Sequence, residues 1–248
     1  MANPTPSSIS PVYLSGPMFS AADLWQQYAI CQALESNNPA FTCYLPPRDG
    51  IEVGSLMKNV NQANNDQVAA VMQFVRQIVF SMDMFQVLAR CQSLIFNMDG
   101  RVPDEGSVSE TAAAFTAGQP IVIYKTTPIS MLGGEDNPMV SGLAMNWQTV
   151  DTVQALPGAL LAAAQAVQDA GFTPFQPGGQ VRAVVKLGAT VWEAMPTIRK
   201  ILAGIDPNNP APTVFALLQL QGQWQPLIAA AFPDAPVIQA PVFPPAKH

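Results

Sequence analysis

Ser93-Leu94-Ile95-Phe96-Asn97-Met98-Asp99-Gly100-Arg101-Val102-Pro103-Asp104-Glu105-Gly106-Ser107-Val108-Ser109-Glu110 changes character twice within eighteen residues. An apolar run stops at a polar turn containing glycine and proline, then restarts as an alanine-rich segment. This is the pattern of a strand, a loop and a helix. Four carboxylates (Asp99, Asp104, Glu105 and Glu110) crowd the junction, and in a parallel α/β sheet such junctions border the ligand crevice. Aspartates suit the loop because they cap the free N–H groups of a helix. Glu110 falls inside the first turns, six residues after Asp104, with Gly106 between them to let the backbone turn tightly. The helix dipole stabilises a carboxylate there, on a side that can face the crevice. A solvated acidic loop closed by a capping box is the competing reading.

Working outward, the segments alternate. Residues 12–14 read as a strand ending at Ser15-Gly16-Pro17, and 21–34 as a helix. Residues 41–45 read as a second strand, halted by Pro46-Pro47 and opening into Arg48-Asp49-Gly50. Apolar residues at 68, 71, 72, 75, 78 and 79 give the i, i+3, i+4 pattern of a long helix over 65–89. Strand three is 94–96, and the Glu110 helix runs over 107–117 with Gly118 as its stop. Strand four, 120–124, is apolar on both faces, as a central parallel strand is. Alternating strands and helices predict a doubly wound parallel α/β sheet. Beyond 150 the character changes to helices at 156–170, 180–203 and 213–232, divided by Pro/Gly-rich connectors. The expected organisation is therefore a disordered tail at 1–11, an α/β domain at 12–150, a helical extension at 151–232 and a proline-rich tail at 233–248.

Composition narrows the chemistry. The chain has 248 residues, 49% of them hydrophobic and 11% charged, with a net charge of -6. That balance supports a large core and argues against a nucleic-acid-binding surface, which needs basic stripes. The three cysteines, Cys31, Cys43 and Cys91, sit in apolar runs without metal-ligand spacing or a disulfide framework. They read as buried thiols in a reducing compartment. The only histidine is His248, which excludes a histidine triad or a histidine metal site. No signal peptide or membrane span is visible, so the expectation is a soluble, cytoplasmic protein.

Polar groups gather at the predicted carboxyl ends of strands: Tyr13, Ser15 and Gly16 after strand one, and Arg48 and Asp49 after strand two. Asp99, Asp104 and Glu110 follow strand three, Asp136 and Asn137 follow strand four, and Asp83 precedes strand three. Their convergence suits a small-molecule site. Each has a plain alternative: a core tyrosine, a simple Arg48–Asp49 turn, a solvated Asp83, or loop punctuation at Asn137-Pro138. No GxxxxGK[ST] loop, GxGxxG fingerprint or GxSxG elbow is present. Carboxylate chemistry without metal, cofactor or histidine remains, and paired carboxylates with separate roles suit glycosyl transfer.

Residues 12–150 resemble the nucleoside 2-deoxyribosyltransferases. The likeness rests on Tyr13-Leu14-Ser15-Gly16-Pro17 with Phe19, Asp83 eight residues before Cys91, Asp104-x-Gly106-x-x-x-Glu110, Gly118-x-Pro120, and Asn137 five residues before Gly142. It covers just over half of the chain. Two features depart from the family pattern: Thr-Ala-Ala-Ala-Phe after Glu110, and an extended helix before Asp83. The resemblance implies a flavodoxin-like sheet and exchange of a deoxyribosyl group between bases, with no cofactor or metal. It implies Glu110 as covalent nucleophile, Tyr13 beside it, and Asp83 on the base and its proton. It further implies Asp104 at the sugar's 5′-hydroxyl and Asn137 at the sugar end of a site in a homo-oligomer; Ser15, Gly16 and Asp49, from their places at strand ends, are the other candidate substrate contacts. Its partners would be deoxynucleosides and free nucleobases. Related hydrolases of nucleoside monophosphates tend to carry serine where this chain has Asp104, so the aspartate favours unphosphorylated nucleosides. An N-glycoside hydrolase and a non-catalytic nucleoside-binding scaffold are the other readings.

Overall fold

Val12–Ser15 is buried at every position and forms β1, the strand on which the sheet is centred. The computed structural model describes residues 3–51, 65–100, 103–127, 136–147, 149–172, 174, 176–206 and 208–234. After β1 come α1 (Ala21–Glu35), β2 (Cys43–Tyr44) and α2 (Asn65–Phe85), which ends in a π-helical turn over Gln86–Arg90. Next are β3 (Ser93–Asn97), α3 (Glu105–Thr116), β4 (Ile121–Tyr124), β5 (Thr149–Val150) and α4 (Leu156–Ala170). The chain then continues as α5 (Gly179–Glu193), α6 (Met195–Ala203) and α7 (Ala211–Ala231).

The chain divides into two units, Met1–Gly50 with Gln86–Gln176, and Ile51–Phe85 with Pro177–His248. The first holds a parallel five-stranded sheet in the order β2-β1-β3-β4-β5. This is the flavodoxin-like, doubly wound order expected from the sequence. The chain moves outward from β1 to β2, then returns to the other side of β1 as β3, so the β1/β3 boundary is the topological switch point. Register pairs Tyr13 with Leu94 and Ser15 with Phe96 across that boundary.

Side chains alternate along β1. Val12 and Leu14 join Ile30, Leu34, Ile95, Val122, Leu156 and Leu160 in the core under α1 and α4. Tyr13 and Ser15 therefore project to the opposite face, where α3 carries Glu110. α1 starts in a capping box between Ser20 and Asp23. α3 starts at Asp104 and stops at Gly118, whose φ of +71° is left-handed. There Gln119 N donates to Ala114 O and Gly118 N to Phe115 O, a Schellman stop.

The structure differs from the sequence expectation in several places. Pro6–Ile9 is a capped 3-10 turn with Pro6 and Ile9 buried, not a disordered tail. The second strand shrinks to two residues, and β5 is an edge strand too short to show alternation. The expected helix over 180–203 breaks at Ala194, with Pro196 in the first turn of α6. The boundary at 150 also moves, because α4 packs on the sheet as part of the first unit. The proline-rich tail lies outside the described residues beyond Asp234.

In the second unit, Val71, Phe74, Val75, Ile78 and Met82 of α2 pack with Val184, Leu187 and Val191 of α5 and Val214 and Leu217 of α7. The apolar stripe read from the sequence thus finds its partner more than a hundred residues later. No helix among the described residues is long and apolar enough to cross a membrane.

Gly188 marks a close crossing of α5 over α2. A Cβ there would stand 1.9 Å from Ser81 O and 2.6 Å from Phe85 Cβ, whereas a Cβ at Gly222 would meet nothing within 4 Å. Gly188→Ala is expected to destabilise by roughly 1–3 kcal/mol through overpacking. Gly222→Ala, inside α7, is expected to stabilise by up to about 1 kcal/mol through helix propensity. Denaturant unfolding of the two variants checks both signs.

Candidate active site

The buried stripe of α3 is Ser107, Thr111 and Ala114, and Glu110 stands on the same stripe by its i+3 and i+4 spacing. A position that would ordinarily be apolar holds a half-buried carboxylate. Two residues of β1 meet it. Tyr13 Oη donates to Glu110 Oε1 at 2.8 Å, and Ser15 Oγ donates to Oε2 at 2.5 Å. Tyr13 is fully buried, with its ring stacked on Tyr44 of β2 at a centroid distance of 5.4 Å. The two tyrosines face each other in the β1/β2 register.

Asp104 completes the cluster from the start of α3. Its Oδ2 accepts from Ser107 N and Ser107 Oγ, both at 2.7 Å, so the carboxylate caps the helix. Burial pushes the Glu110 carboxyl up from 4.5 to about 7; the Ser15 and Tyr13 hydroxyls hold it down, and the Asp104 charge adds to the rise. The group is therefore poised between acid and carboxylate near neutrality, as a nucleophile or proton carrier requires.

Gly16 follows Ser15 at the end of β1. A Cβ there would come within 2.1 Å of Gln27 Nε2 and 2.7 Å of Asn97 Cβ, so only glycine lets β1 and β3 end this close together. Asn97, fully buried, donates from Nδ2 to Gln26 Oε1 at 2.9 Å. Asp99 accepts from Gln26 Nε2, from Thr126 N at 2.7 Å and from Thr127 N at 2.9 Å, tying the loop after β3 to the loop after β4. Burial works to raise its carboxyl, but these donors outweigh it and hold the group below its ordinary value. Asp99 is a staple, not an acid.

Asp49 and Asn137 have local partners within their own turns. Asp49 accepts from Leu45 N at 2.9 Å and from Arg48 Nε and Nη2, closing the Pro46–Asp49 turn. Asn137 is exposed and caps the turn Pro138–Ser141 by accepting from Met139 N at 3.0 Å. Asp83 lies near the end of α2, half-buried, in the second unit. Arg101 and Val102 of the opening stretch lie outside the described residues.

The structure thus brings together Tyr13, Ser15, Gly16, Asp104 and Glu110. Sequence reasoning missed Ser107, Asn97, Gln26 and Tyr44 as members of this arrangement. A polar Asn97 directly after the apolar run Leu94-Ile95-Phe96 is the visible signal. Ser107 was hidden because it reads as an ordinary N3 residue.

No protein-family model matches this chain, and no curated protein does. A solved structure described as a conserved protein from Enterococcus faecalis V583 is similar to it at 22% identity and a TM-score of 0.42. That similarity covers 60% of this chain and 95% of the other.

Glu110 generates a pH signature with a defined sign. Its folded pKa exceeds the unfolded one, so its contribution to stability is present in full below about 4.5 and is lost as pH rises through about 7. Glu110→Gln, which cannot ionise, is expected to gain stability relative to the native protein as pH rises from 4.5 to 7, with no further gain above. The carboxyl resonance of ¹³C-labelled Glu110 should titrate near 7 and move higher in Tyr13→Phe and Ser15→Ala. In Asp104→Asn, which keeps the cap, it should move lower.

Proposed function

We propose that this protein transfers a 2-deoxyribosyl group between nucleobases through a covalent intermediate on Glu110. The observation that carries this reading is a carboxylate at the β1/β3 switch point oriented by two neutral hydroxyls. A cation in their place would hold the charge more tightly and blunt the nucleophile. Tyr13 and Ser15 fix the carboxylate's direction without pairing it to an opposite charge. The resemblance of residues 12–150 to the deoxyribosyltransferases supplies the substrate class.

In this reading a Glu110 oxygen attacks the anomeric carbon as the bond from that carbon to the base nitrogen breaks. The departing base takes a proton on its ring nitrogen, and the sugar remains as an ester of Glu110. A nitrogen of the second base then attacks the same carbon and gives up its proton, and the Glu110 carboxylate leaves. Following the resemblance, Asp83 hydrogen-bonds the base and handles its proton, and Asp104 meets the sugar's 5′-hydroxyl. Asn137 meets the sugar end, and Ser15, Gly16 and Asp49 contribute to substrate binding. No metal or cofactor enters. The setting is cytoplasmic nucleotide salvage by a homo-oligomer.

Incubation with a slow 2-fluoro-2-deoxynucleoside should leave one sugar adduct, on Glu110, by peptide mass spectrometry. Glu110→Ala should lose at least about 10³-fold in kcat, the scale of losing a covalent nucleophile. An adduct elsewhere, or full activity in the variant, overturns the mechanism. With a deoxynucleoside and a second base the product should be a new nucleoside; free deoxyribose alone would make the protein a hydrolase.

Asp104 generates a separate expectation. An ionised carboxylate about 4 Å from a phosphate meets roughly 4 kcal/mol of repulsion per unit charge at an effective dielectric near 20. Solvent screening that leaves about 2 kcal/mol still suppresses a 5′-monophosphate more than about tenfold. Asp104→Ser retains a capping side chain and should narrow that gap in kcat/KM between deoxyadenosine and its 5′-monophosphate. A native protein that prefers the monophosphate would remove Asp104 from the 5′ end.

A further inference from the structure

Cys31 and Cys43 are twelve residues apart in sequence, on α1 and β2, yet the structure brings their sulfurs and a Glu35 carboxylate oxygen within 4.8 Å of one another. Both cysteines are free thiols. Arg48 reaches into the same cluster. Its Nη1 donates to Cys31 Sγ at 3.3 Å and to Glu35 Oε1 at 3.0 Å, while Nη2 donates to Cys43 O at 3.0 Å. A pocket of about 430 Å³ lies over the cluster, lined by Tyr28, Cys31, Gln32, Glu35, Ser36 and Arg48. Cys31 is therefore a nearly buried sulfur lining a pocket, with a guanidinium beside it and a second thiol at its back.

We propose that Cys31 and Cys43 form an oxidant-reactive thiol pair in which Cys31 is attacked first and Cys43 resolves it to a disulfide. The site is separate from the Glu110 cluster and does not depend on the function proposed above. The Cys43 thiol and then the Arg48 guanidinium draw the Cys31 thiol below its ordinary value, against burial and the Glu35 charge. The Cys43 thiol is pushed up by the same interaction with Cys31 and by burial, so it keeps its proton until it is needed. Cys91 is the internal contrast: burial pushes it up to about 12, the condition of an inert structural thiol.

The chemistry balances with a hydroperoxide as oxidant. The Cys31 thiolate sulfur attacks a peroxide oxygen; the S–O bond forms, the O–O bond breaks, and the other oxygen leaves as an alcohol or water after taking a proton. Sulfur is oxidised to a sulfenic acid and the peroxide is reduced. The Cys43 sulfur then attacks the Cys31 sulfur; the S–S bond forms, the S–O bond breaks, and hydroxide leaves with the Cys43 proton as water. The net change is two thiols and one hydroperoxide to one disulfide, one alcohol and one water.

A structural metal is the competing occupant, since two sulfurs and a carboxylate suit zinc. The position of Arg48 argues against it. Its positive charge already sits on Cys31 and Glu35, two of the three donors a cation would need.

The test uses the full-length reduced protein treated with hydrogen peroxide, alkylated and digested with trypsin. Residues 1–48 form one tryptic peptide that carries both cysteines, because the first Lys or Arg before residue 58 is Arg48. That peptide is expected to lose two hydrogens and resist alkylation until dithiothreitol is added, while Cys91 stays alkylatable. Cys43→Ser should accumulate a Cys31 sulfenic acid trapped by dimedone, and Arg48→Met should slow Cys31 oxidation at pH 7 by about tenfold or more. Three results overturn the proposal. One is a native peptide that keeps both thiols at a dose that oxidises Cys91. Another is a Cys31→Ser variant in which Cys43 is oxidised at the native rate. The third is native protein that retains one equivalent of zinc through gel filtration and is thereby protected at both sulfurs, which would assign a metal centre instead.

Discussion

The interaction on which the first unit is arranged is the pair of hydroxyl contacts that hold Glu110 between α3 and β1. A carboxylate taken partly out of water is unfavourable unless donors replace the lost solvent. Tyr13 and Ser15 supply them, and the two must lie on one face of one strand, which the two-residue period of β1 provides. That strand must also be central, beside β3, so that the helix following β3 can lean over it. The 2-1-3-4-5 order meets this requirement. The site and the topology are thus one constraint seen at two scales.

Around this contact the supports are layered. Tyr44 packs on Tyr13 and limits where its hydroxyl can point. Asp104 does two things at once: it caps α3, and its charge adds to the rise that burial gives the Glu110 carboxyl. Gly16 allows β1 and β3 to end in contact with Gln27 and Asn97, and Asp99 binds the neighbouring loops through Thr126 and Thr127. Lys125 pairs with Asp136 beyond β4, a further tie between the end of that strand and the segment leading to Asn137. A side chain held this way has little orientation freedom left to lose, which is the physical content of preorganisation.

The second unit follows different rules. Its helices pack by apolar stripes, with Gly188 allowing α5 to approach the Ser81 carbonyl of α2. Its first helix is inserted between β2 and β3, so the crossover that creates the switch point passes through a helical unit with its own core. Asp83 belongs to that unit by its packing, although its sequence position lies just ahead of β3. The stretch 12–150, read from the sequence as one α/β domain, therefore runs across a structural boundary that the linear sequence does not mark.

Three features are legible in the residue order alone: the alternation of apolar strands and helices, the parallel α/β class and the crowding of carboxylates after β3. These follow from local periodicity and turn chemistry, which neighbours in sequence specify. Tyr13, Ser15, Gly16, Asp104 and Glu110 were all legible as candidates for the same reason. Only the tertiary structure decided which candidates meet. Asp49 and Asn137 are held within their own turns, while Glu110 finds hydroxyls 95 and 97 residues away. Cys31 and Cys43 read as unrelated buried thiols until α1 packed beside β2. The same holds for the partner of the α2 stripe and for the place of α4 on the sheet. Each depends on contacts between segments far apart in the chain, and no local propensity encodes which distant surface an apolar stripe or a buried carboxylate will meet.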